Sequence, residues 1–314
     1  MNEAKIRIGI SACLLGAPVR YNGGHKRSTL CTEVLAEHFE LVPLCPEMGM
    51  GLGTPRPTIR LVGEPEAPRA LMPQEQDRDV SEALRAQVDR VPAGLSGFVL
   101  MQKSPSCGLH RVKLYRDNGH LAEKGSRGIF AAALHARYPE LPLEEEGRLH
   151  DPVLRENFLN RVFVHARWQR LLADGISRQG LIDFHARHKY LLMATHPQQQ
   201  KALGRLLGHL GQQDLHELAT RYSRELMSAL SRPATRGTHS NVLQHLSGYL
   251  KQHLGSAERA ELQHLITQYR GGVIPLVVPL TLLRHHFNRH PDAYIARQDY
   301  LRPYPDALSL RNSI

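Results

Sequence analysis

Short apolar runs alternate with amphipathic segments through the first 145 residues. The apolar runs, each the length of a buried strand, lie at residues 6–12, 40–44, 58–62, 97–101 and 111–115. Helical spacing of apolar positions follows at residues 29–39, 79–91 and 129–137. Residues 63–76, rich in Pro and Glu, predict an exposed loop. Strands alternating with helices at this spacing predict an α/β domain with a parallel or mixed sheet.

The hydrophobic pattern changes after the acidic run at residues 144–146, which we expect to be a solvated linker. Asp151 followed by Pro152 is typical of a helix start, because Asp caps and Pro suits the first position. The remaining sequence predicts only helices, at residues 177–194, 197–209, 212–230, 237–254, 256–270 and 278–290. The chain therefore divides near residue 147 into an α/β domain, 1–147, and an all-α domain, 148–314. Residues 300–305 predict an extended surface tail.

Charge separates the same two halves. The net charge is +10, with 19 Lys+Arg against 18 Asp+Glu in residues 1–150 and 21 against 12 in residues 151–314. A basic half beside a neutral half indicates either a polyanion-binding module or a merely soluble basic domain. No apolar run approaches the roughly 20 residues of a membrane span, and the first residues lack a signal-peptide pattern, which favours a cytoplasmic location.

Three of the four cysteines follow predicted strands. Cys13 comes after the first strand, Cys45 after the second, and Cys107 lies in residues 103–108 (KSPSCG), after the 97–101 strand. Because the carboxyl ends of strands in an open α/β sheet share one edge, these thiols are expected to converge. Cys31 lies within a predicted helix, where a small core residue is expected.

Converging thiols leave two interpretations open. Three thiolates suit a soft metal, but the chain has neither the CxxC pairs of zinc sites nor the clustered spacing of ferredoxins. The alternative is three buried structural cysteines. Residues 13–26, rich in Gly and cationic side chains, are also able to cradle an anion or nucleotide.

Three motifs carry a family resemblance. Residues 11–16 (SACLLG), residues 45–47 (CPE) with the later Pro55-Arg56, and residues 103–108 resemble the thiouracil desulfidase (TudS) family over residues 5–145. The second half resembles the YbgA-type domain at residues 151–158, 184–189, 239–245 and 279–283. Chains that join these two domains resemble bacterial tRNA 4-thiouridine desulfidases.

The resemblance implies a 4Fe-4S cluster held by Cys13, Cys45 and Cys107, with a fourth iron free for substrate sulfur. It also implies Glu47 as the acid/base group and Ser104 as the active-site serine, with Ser106 as the alternative. The implied reaction is non-redox: water replaces the sulfur of 4-thiouridine in tRNA, leaving uridine and hydrosulfide. Two other functions stay open, a desulfidase of free thiouracil or thionucleobases and a non-catalytic cluster protein that binds RNA or senses oxidants.

The resemblance also implies that the second domain holds the tRNA. Its basic helices would then contact phosphates without reading sequence. The candidate contacts are Arg187, Lys189, Arg221, Arg224, Arg236 and Lys251. Two further expectations concern this half: Trp168 belongs to the core, and His185 and His188 form a hydrogen-bonded polar face rather than a metal site.

Overall fold

A computed structural model describes residues 5–209, 211, 214–305, 308, 310–312 and 314. The chain forms two compact units, Met1–His150 and Asp151–Ile314. The first unit is α/β and the second is helical, so the predicted fold class is confirmed. Among the described residues, no helix is long and apolar enough to cross a membrane.

The first unit contains two four-stranded sheets. Their strands are β1 Ile6–Ser11, β2 Phe39–Leu44, β3 Arg60–Glu64, β4 Ala67–Met72, β5 Arg78–Asp79, β6 Phe98–Leu100, β7 Leu114–Tyr115 and β8 Leu143–Glu145. The first sheet is parallel, in the order β2-β1-β6-β8. The second has the order β5-β4-β3-β7 and is mixed, because β4 runs antiparallel to both neighbours and β3 runs parallel to β7.

Short helices connect these strands. They are α1 Ala36–His38, α2 Pro46–Gly49, α3 Ser81–Arg85 and α4 Ile129–Arg137. A wide π-helical segment, Leu30–Leu35, precedes α1 and contains Cys31. The helix predicted at residues 129–137 is confirmed, with the same first and last residues. Its apolar positions pack on the sheet.

Gly9 allows the two central strands to pack closely. In β1, Ile8 and Ile10 are fully buried, as expected for a parallel strand covered on both faces. Gly9 pairs with Phe98 of β6, and a Cβ atom at position 9 would collide with the Phe98 ring. The absence of a side chain at this position therefore sets the fit between β1 and β6.

The prediction of an exposed loop at residues 63–76 is wrong. Its first two residues end β3, and Ala67–Met72 form β4, which pairs antiparallel with β3. Pro68 and Ala70 face the interior, and the residues between and before them are exposed, so the segment does alternate. Its Pro and Glu content hid that pattern, because these residue types are depleted in strands.

The acidic run is also not a solvated linker. Glu144, Glu145 and Glu146 are each less than a tenth exposed. Burial is tolerated because each carboxylate has partners. Glu145 accepts hydrogen bonds from the backbone N–H groups of Leu109 and His110. Glu144 pairs with Arg148, and Glu146 accepts a bond from Ser28.

The second unit contains eight helices among its described residues. They are α5 Pro152–Ala173, α6 Arg178–Thr195, α7 Pro197–Leu207, α8 Leu215–Leu230, α9 Arg236–Tyr249, α10 Ser256–Arg270, α11 Val277–Arg289 and α12 Ala293–Ala296. Asp151 caps α5 by accepting from two backbone N–H groups, as predicted. Trp168 is buried against Phe184 and Tyr222, which confirms its place in the core.

The C-terminal segment is not a surface tail. Tyr300 is fully buried in the helical core, and Tyr304 is nearly so. Arg311, also buried, donates from Nε to Oε1 of Glu156 on α5 at 2.7 Å. A buried ion pair and buried aromatic rings hold this segment inside the unit. The proline content of residues 300–305 did not indicate this burial.

Candidate active site and metal centre

Three thiols line one cavity at the carboxyl ends of adjacent strands. Cys13 follows β1, Cys45 follows β2, and Cys107 lies in the turn after β6. The cavity has a volume of about 490 Å³ and lies within the first unit. The neighbouring positions of the three strands explain why cysteines distant in sequence meet here. Cys31 is fully buried and is not part of the cavity wall.

The turn that carries Cys107 is fixed by Ser104. The Ser104 hydroxyl oxygen accepts hydrogen bonds from the N–H groups of Ser106 and Cys107, at 3.2 and 3.1 Å. The Gly108 N–H then donates to the Ser104 carbonyl at 2.8 Å. Lys103 precedes the turn in the left-handed region, with φ +59°. These bonds hold the Cys107 thiol against the cavity.

Burial keeps the thiols protonated when no cation is bound. It raises the pKa of Cys13 to about 11, and the neighbouring Cys45 contributes to the shift. Burial also raises the pKa of Cys107 well above its usual range, with smaller contributions from Cys45 and Glu47. Because the thiolate is the form that binds metal, a bound cation would supply the charge that this site lacks.

Three thiols in the wall of one cavity form a soft donor set. Among the described residues, no group of three or more His, Cys, Asp or Glu side chains is arranged to hold a metal ion. Three thiolates around a cavity of about 490 Å³ are a donor set that suits an iron-sulfur cluster. The residues present therefore fit a 4Fe-4S group.

A buried ion pair positions Glu47 in the same cavity wall. Its Oε1 atom accepts from the Ser106 hydroxyl at 2.7 Å. Its Oε2 atom accepts from Nε and Nη2 of Arg56, at 2.9 and 2.6 Å. The Arg56 side chain is only 2% exposed and that of Glu47 15%. Three hydrogen bonds thus fix the carboxylate.

Arg56 is the residue whose role the sequence did not reveal. It also donates to the carbonyls of Val19 and Gly53, at 2.8 and 2.7 Å, so it connects two loops of the cavity wall. The motif contained Arg56 but gave no reason to pair it with Glu47, nine residues away. The sequence offers one indication of this pairing, which is that Arg56 lies between two prolines and close to the motif that contains Glu47.

The two candidate serines occupy different places. Ser106 is fully buried and contacts Glu47 from behind the cavity wall. Ser104 lines the cavity itself, and its hydroxyl oxygen already accepts two backbone bonds. The structure therefore pairs Ser106 with the carboxylate and leaves the Ser104 hydroxyl hydrogen available to the cavity.

The rest of the cavity wall combines cations with flat and apolar surface. Arg20, Tyr21 and Lys26 come from the loop after β1, and Ile59 and Met101 add apolar surface. Tyr21 is 43% exposed, with the Arg20 guanidinium 5.7 Å from its ring centroid. Such a wall suits a planar heterocyclic base with nearby negative charge.

The basic candidates of the second unit lie in pairs on α6 and α8, at the start of α9 and, for Lys251, just after α9. Arg187 pairs with buried Asp299, and Arg221 pairs with Glu225 on its own helix. Lys189 lies over the rings of Tyr190 and Tyr294. Five of the six are exposed, and Lys189 is half-buried. Arg224, Arg236 and Lys251 form no ion pair with another described residue.

The two histidines of α6 make the polar contacts expected of them. His185 hydrogen bonds to the Tyr222 hydroxyl at 3.1 Å. His188 bonds to the Phe184 carbonyl at 2.7 Å and also faces Asp299.

Comparisons with known proteins assign the two halves. Residues 8–146 match a family described as 2-thiouracil desulfurase, and residues 189–305 match DUF1722, described as a protein of unknown function. The uncharacterized protein YbgA of Escherichia coli (strain K12) is 34% identical over 159 residues, which cover 50% of this chain and 94% of that protein. The chain belongs to the YbgA family and carries a 2-thiouracil desulfurase domain before its YbgA-type domain.

The three cavity cysteines, Glu47 and Arg56 all lie within the 2-thiouracil desulfurase domain. Among solved structures, a 4Fe-4S-dependent thiouracil desulfidase, TudS, is 30% identical and covers 48% of this chain and 95% of its own, with a TM-score of 0.37. Five of the six basic candidates, all except Arg187, lie within the residues that match DUF1722.

Proposed function

We propose that this protein removes sulfur from 4-thiouridine in tRNA, leaving uridine and releasing hydrosulfide. The observation that carries the proposal is the Glu47 carboxylate, held by Arg56 and Ser106 in a cavity that three thiols line. The family that residues 8–146 match is described by the same class of reaction, on thiouracil.

Cys13, Cys45 and Cys107 would hold the cofactor. A 4Fe-4S cluster bound by three cysteines supplies one iron without a protein ligand, which is a Lewis acid with affinity for sulfur. Cys31 takes no part, because it is buried in the π-helical segment away from the cavity wall.

Glu47 is the proton acceptor in this proposal. A carboxylate has about four acceptor positions, and Ser106 and Arg56 use three of those on Glu47. The remaining position, on Oε1, takes a proton from the water that attacks C4 of the base. Water supplies the new oxygen, sulfur leaves as hydrosulfide, and no electrons are gained or lost.

Ser104 and Ser106 divide two tasks. Ser106 orients Glu47, since its hydroxyl donates to Oε1. Ser104 donates its remaining hydroxyl hydrogen into the cavity, toward the oxygen that develops at C4. This donor is preorganised because two backbone N–H groups fix the Ser104 oxygen.

The YbgA-type domain is the part that we propose to bind tRNA. Its half of the chain carries the excess of Lys and Arg. Arg224 and Lys251 are exposed and form no ion pair with another described residue, so they are available to phosphates. Arg187 and Arg221 have internal acidic partners and are weaker candidates.

The test compares two substrates. The full chain, reconstituted anaerobically with iron and sulfide, is incubated with thiolated tRNA and separately with free 4-thiouracil. We expect the thiocarbonyl absorbance of the tRNA to disappear and hydrosulfide to form in equal amount. Unchanged thiolated tRNA in the presence of a fully loaded cluster would contradict the proposal.

A second function is favoured by the family description itself, which specifies thiouracil. A desulfidase of free thiobases would use the same cavity without the basic domain. Turnover of free 4-thiouracil with none of thiolated tRNA would select it.

A further inference from the structure

A second, basic cavity adjoins the cysteine cavity in the first unit. Its volume is about 930 Å³, and it shares Gln102 and Lys103 with the cysteine cavity. Its wall comes from the turn after Cys107, the loop before α4 and the segment after β8. Lys103 therefore belongs to the walls of both cavities.

Positive charge dominates this second cavity. Five Lys and Arg side chains line it against two Glu. Glu145 is already satisfied by the N–H groups of Leu109 and His110, and Arg148 is paired with Glu144. The other four cations form no ion pair with any described residue. They are Lys103, Arg111, Lys124 and Arg127, which we call the basic cleft.

Two cations of the basic cleft stand on strained backbone. Lys103 has φ +59° and Arg111 has φ +51°, in the left-handed region that favours Gly or Asn. Arg111 is held there by its neighbours: Val112 and Ser126 exchange two hydrogen bonds of 2.9 Å, and Gly125 packs on the Arg111 backbone without room for a Cβ atom. Strained backbone of this kind clusters at functional sites, where the surrounding structure holds it.

The arrangement suits several phosphates rather than one. The four cations come from three separate segments, and their side chains provide the charge. Lys103, Arg111 and Lys124 are exposed, and Arg127 is half-buried. This is the pattern of sequence-independent contact with a nucleic acid backbone.

We propose that the basic cleft binds the ribose-phosphate backbone of the RNA strand next to the nucleotide whose base enters the cysteine cavity. The choice of RNA rests on the proposed function. The inference adds that the desulfurase domain contacts the polynucleotide itself, so RNA binding is not left to the YbgA-type domain alone.

The test measures binding of the full chain to a single-stranded RNA that carries no thiolated base, so its result does not depend on turnover. Arg111→Gly combined with Lys124→Ala removes two cations, and Gly suits the backbone at position 111. We expect about tenfold weaker binding and a salt slope, log K against log salt, smaller by about 1.4. Lys113→Ala with Arg116→Ala removes the same charge outside the cleft, and it should change the affinity by no more than about 2-fold and leave the salt slope at its wild-type value.

The outcomes separate the two proposals. Wild-type affinity and salt slope in the Arg111→Gly, Lys124→Ala variant would overturn the basic cleft, whatever the enzyme does to thiolated tRNA. Equal loss of affinity for RNA and for uridine monophosphate would also overturn it, by assigning the cleft to a single phosphate. Recovery of RNA binding by Arg111→Lys with Lys124 intact would support it, because charge alone is restored.

Discussion

At the scale of single residues, the candidate site depends on how one carboxylate is held. Glu47 has a short hydrogen bond to a buried hydroxyl on one oxygen and two to a buried guanidinium on the other. The planar guanidinium of Arg56 donates two hydrogen bonds, so it fixes the orientation of the Glu47 carboxylate as well as balancing its charge. A lysine ammonium group balances the charge but does not fix the orientation in this way.

We therefore expect Arg56→Lys to retain the cluster and lose turnover. Misplacing a catalytic group by about 1 Å can cost about 100-fold in rate, and we expect a loss in kcat of about that size, with a smaller change in KM. Cluster absorbance and kcat measured on the same sample test this. A variant with wild-type kcat would show that Arg56 does not position Glu47.

The four cysteines provide a matched set. Cys13→Ala, Cys45→Ala and Cys107→Ala each remove a thiol from the cavity wall and should abolish cluster absorbance and turnover. Cys31→Ala removes a fully buried thiol outside the wall and should keep both. Iron content per chain is the measurement, and a coloured, active Cys107→Ala protein would refute the ligand set.

At the scale of elements, the order of the strands explains why the convergence of the three cysteines could be predicted from the sequence. Apolar runs ending in Cys13, Cys45 and Cys107 indicated strand ends, and the parallel sheet places those ends side by side. The ion pair of Arg56 could not be predicted, because it depends on the path of a loop between β2 and β3. The burial of Glu144–Glu146 could not be predicted either, since its backbone and side-chain partners lie up to 118 residues away.

Asp299 connects elements of the helical unit. Its side chain pairs with Arg167 of α5 at 2.7 Å, and with Arg187 and His188 of α6 at 2.7 and 2.9 Å. Burial alone would raise the pKa of Asp299, but the bond to His188 and the nearby arginines outweigh it and lower the pKa. The carboxylate therefore stabilises the fold above the pKa of the unfolded chain, and that contribution is lost as pH falls through the lowered value.

Replacing this carboxylate should unfold the helical unit more easily. Asp299→Asn removes a buried negative charge that faces Arg167, Arg187 and the His188 ring, and the loss of hydrogen bonds to a charged group costs about 1.5–3 kcal/mol. Asp183→Asn, on the exposed face of α6, should stay within about 0.5 kcal/mol of wild type. Urea unfolding followed by Trp168 fluorescence reports on this unit, because Trp168 is the only tryptophan of the chain. Equal midpoints for the two variants would contradict this role.

At the scale of the whole molecule, buried histidines make stability depend on pH. In the helical unit, burial lowers the pKa values of His165, His185 and His239 to about 4 each. Unfolded histidine titrates near about 6.5. Between these values the unfolded chain binds more protons, so stability is complete above pH ~6.5 and falls as pH decreases toward ~4.

His239 gives the sharpest test of this pH dependence. It is buried and hydrogen bonds to the Tyr300 hydroxyl at 2.8 Å. Removing the ionisable ring in His239→Gln should reduce the slope of unfolding free energy against pH, between pH 4 and 6.5, by up to about 1.4 kcal/mol per unit. Trp168 fluorescence in urea, repeated at several pH values, measures the slope, and an unchanged slope would rule out His239 as a contributor.

The missing side chain at position 9 has a consequence beyond packing. β1 leads to Cys13 and β6 leads to Cys107. The two strands pack closely at Gly9 of β1, which lies against the ring of Phe98 in β6. A single methyl group there would wedge the strands apart and so change the spacing of the Cys13 and Cys107 thiols without altering any atom of the cavity wall. The shape of the cysteine cavity is in that sense governed from inside the sheet, by a residue outside the cavity wall.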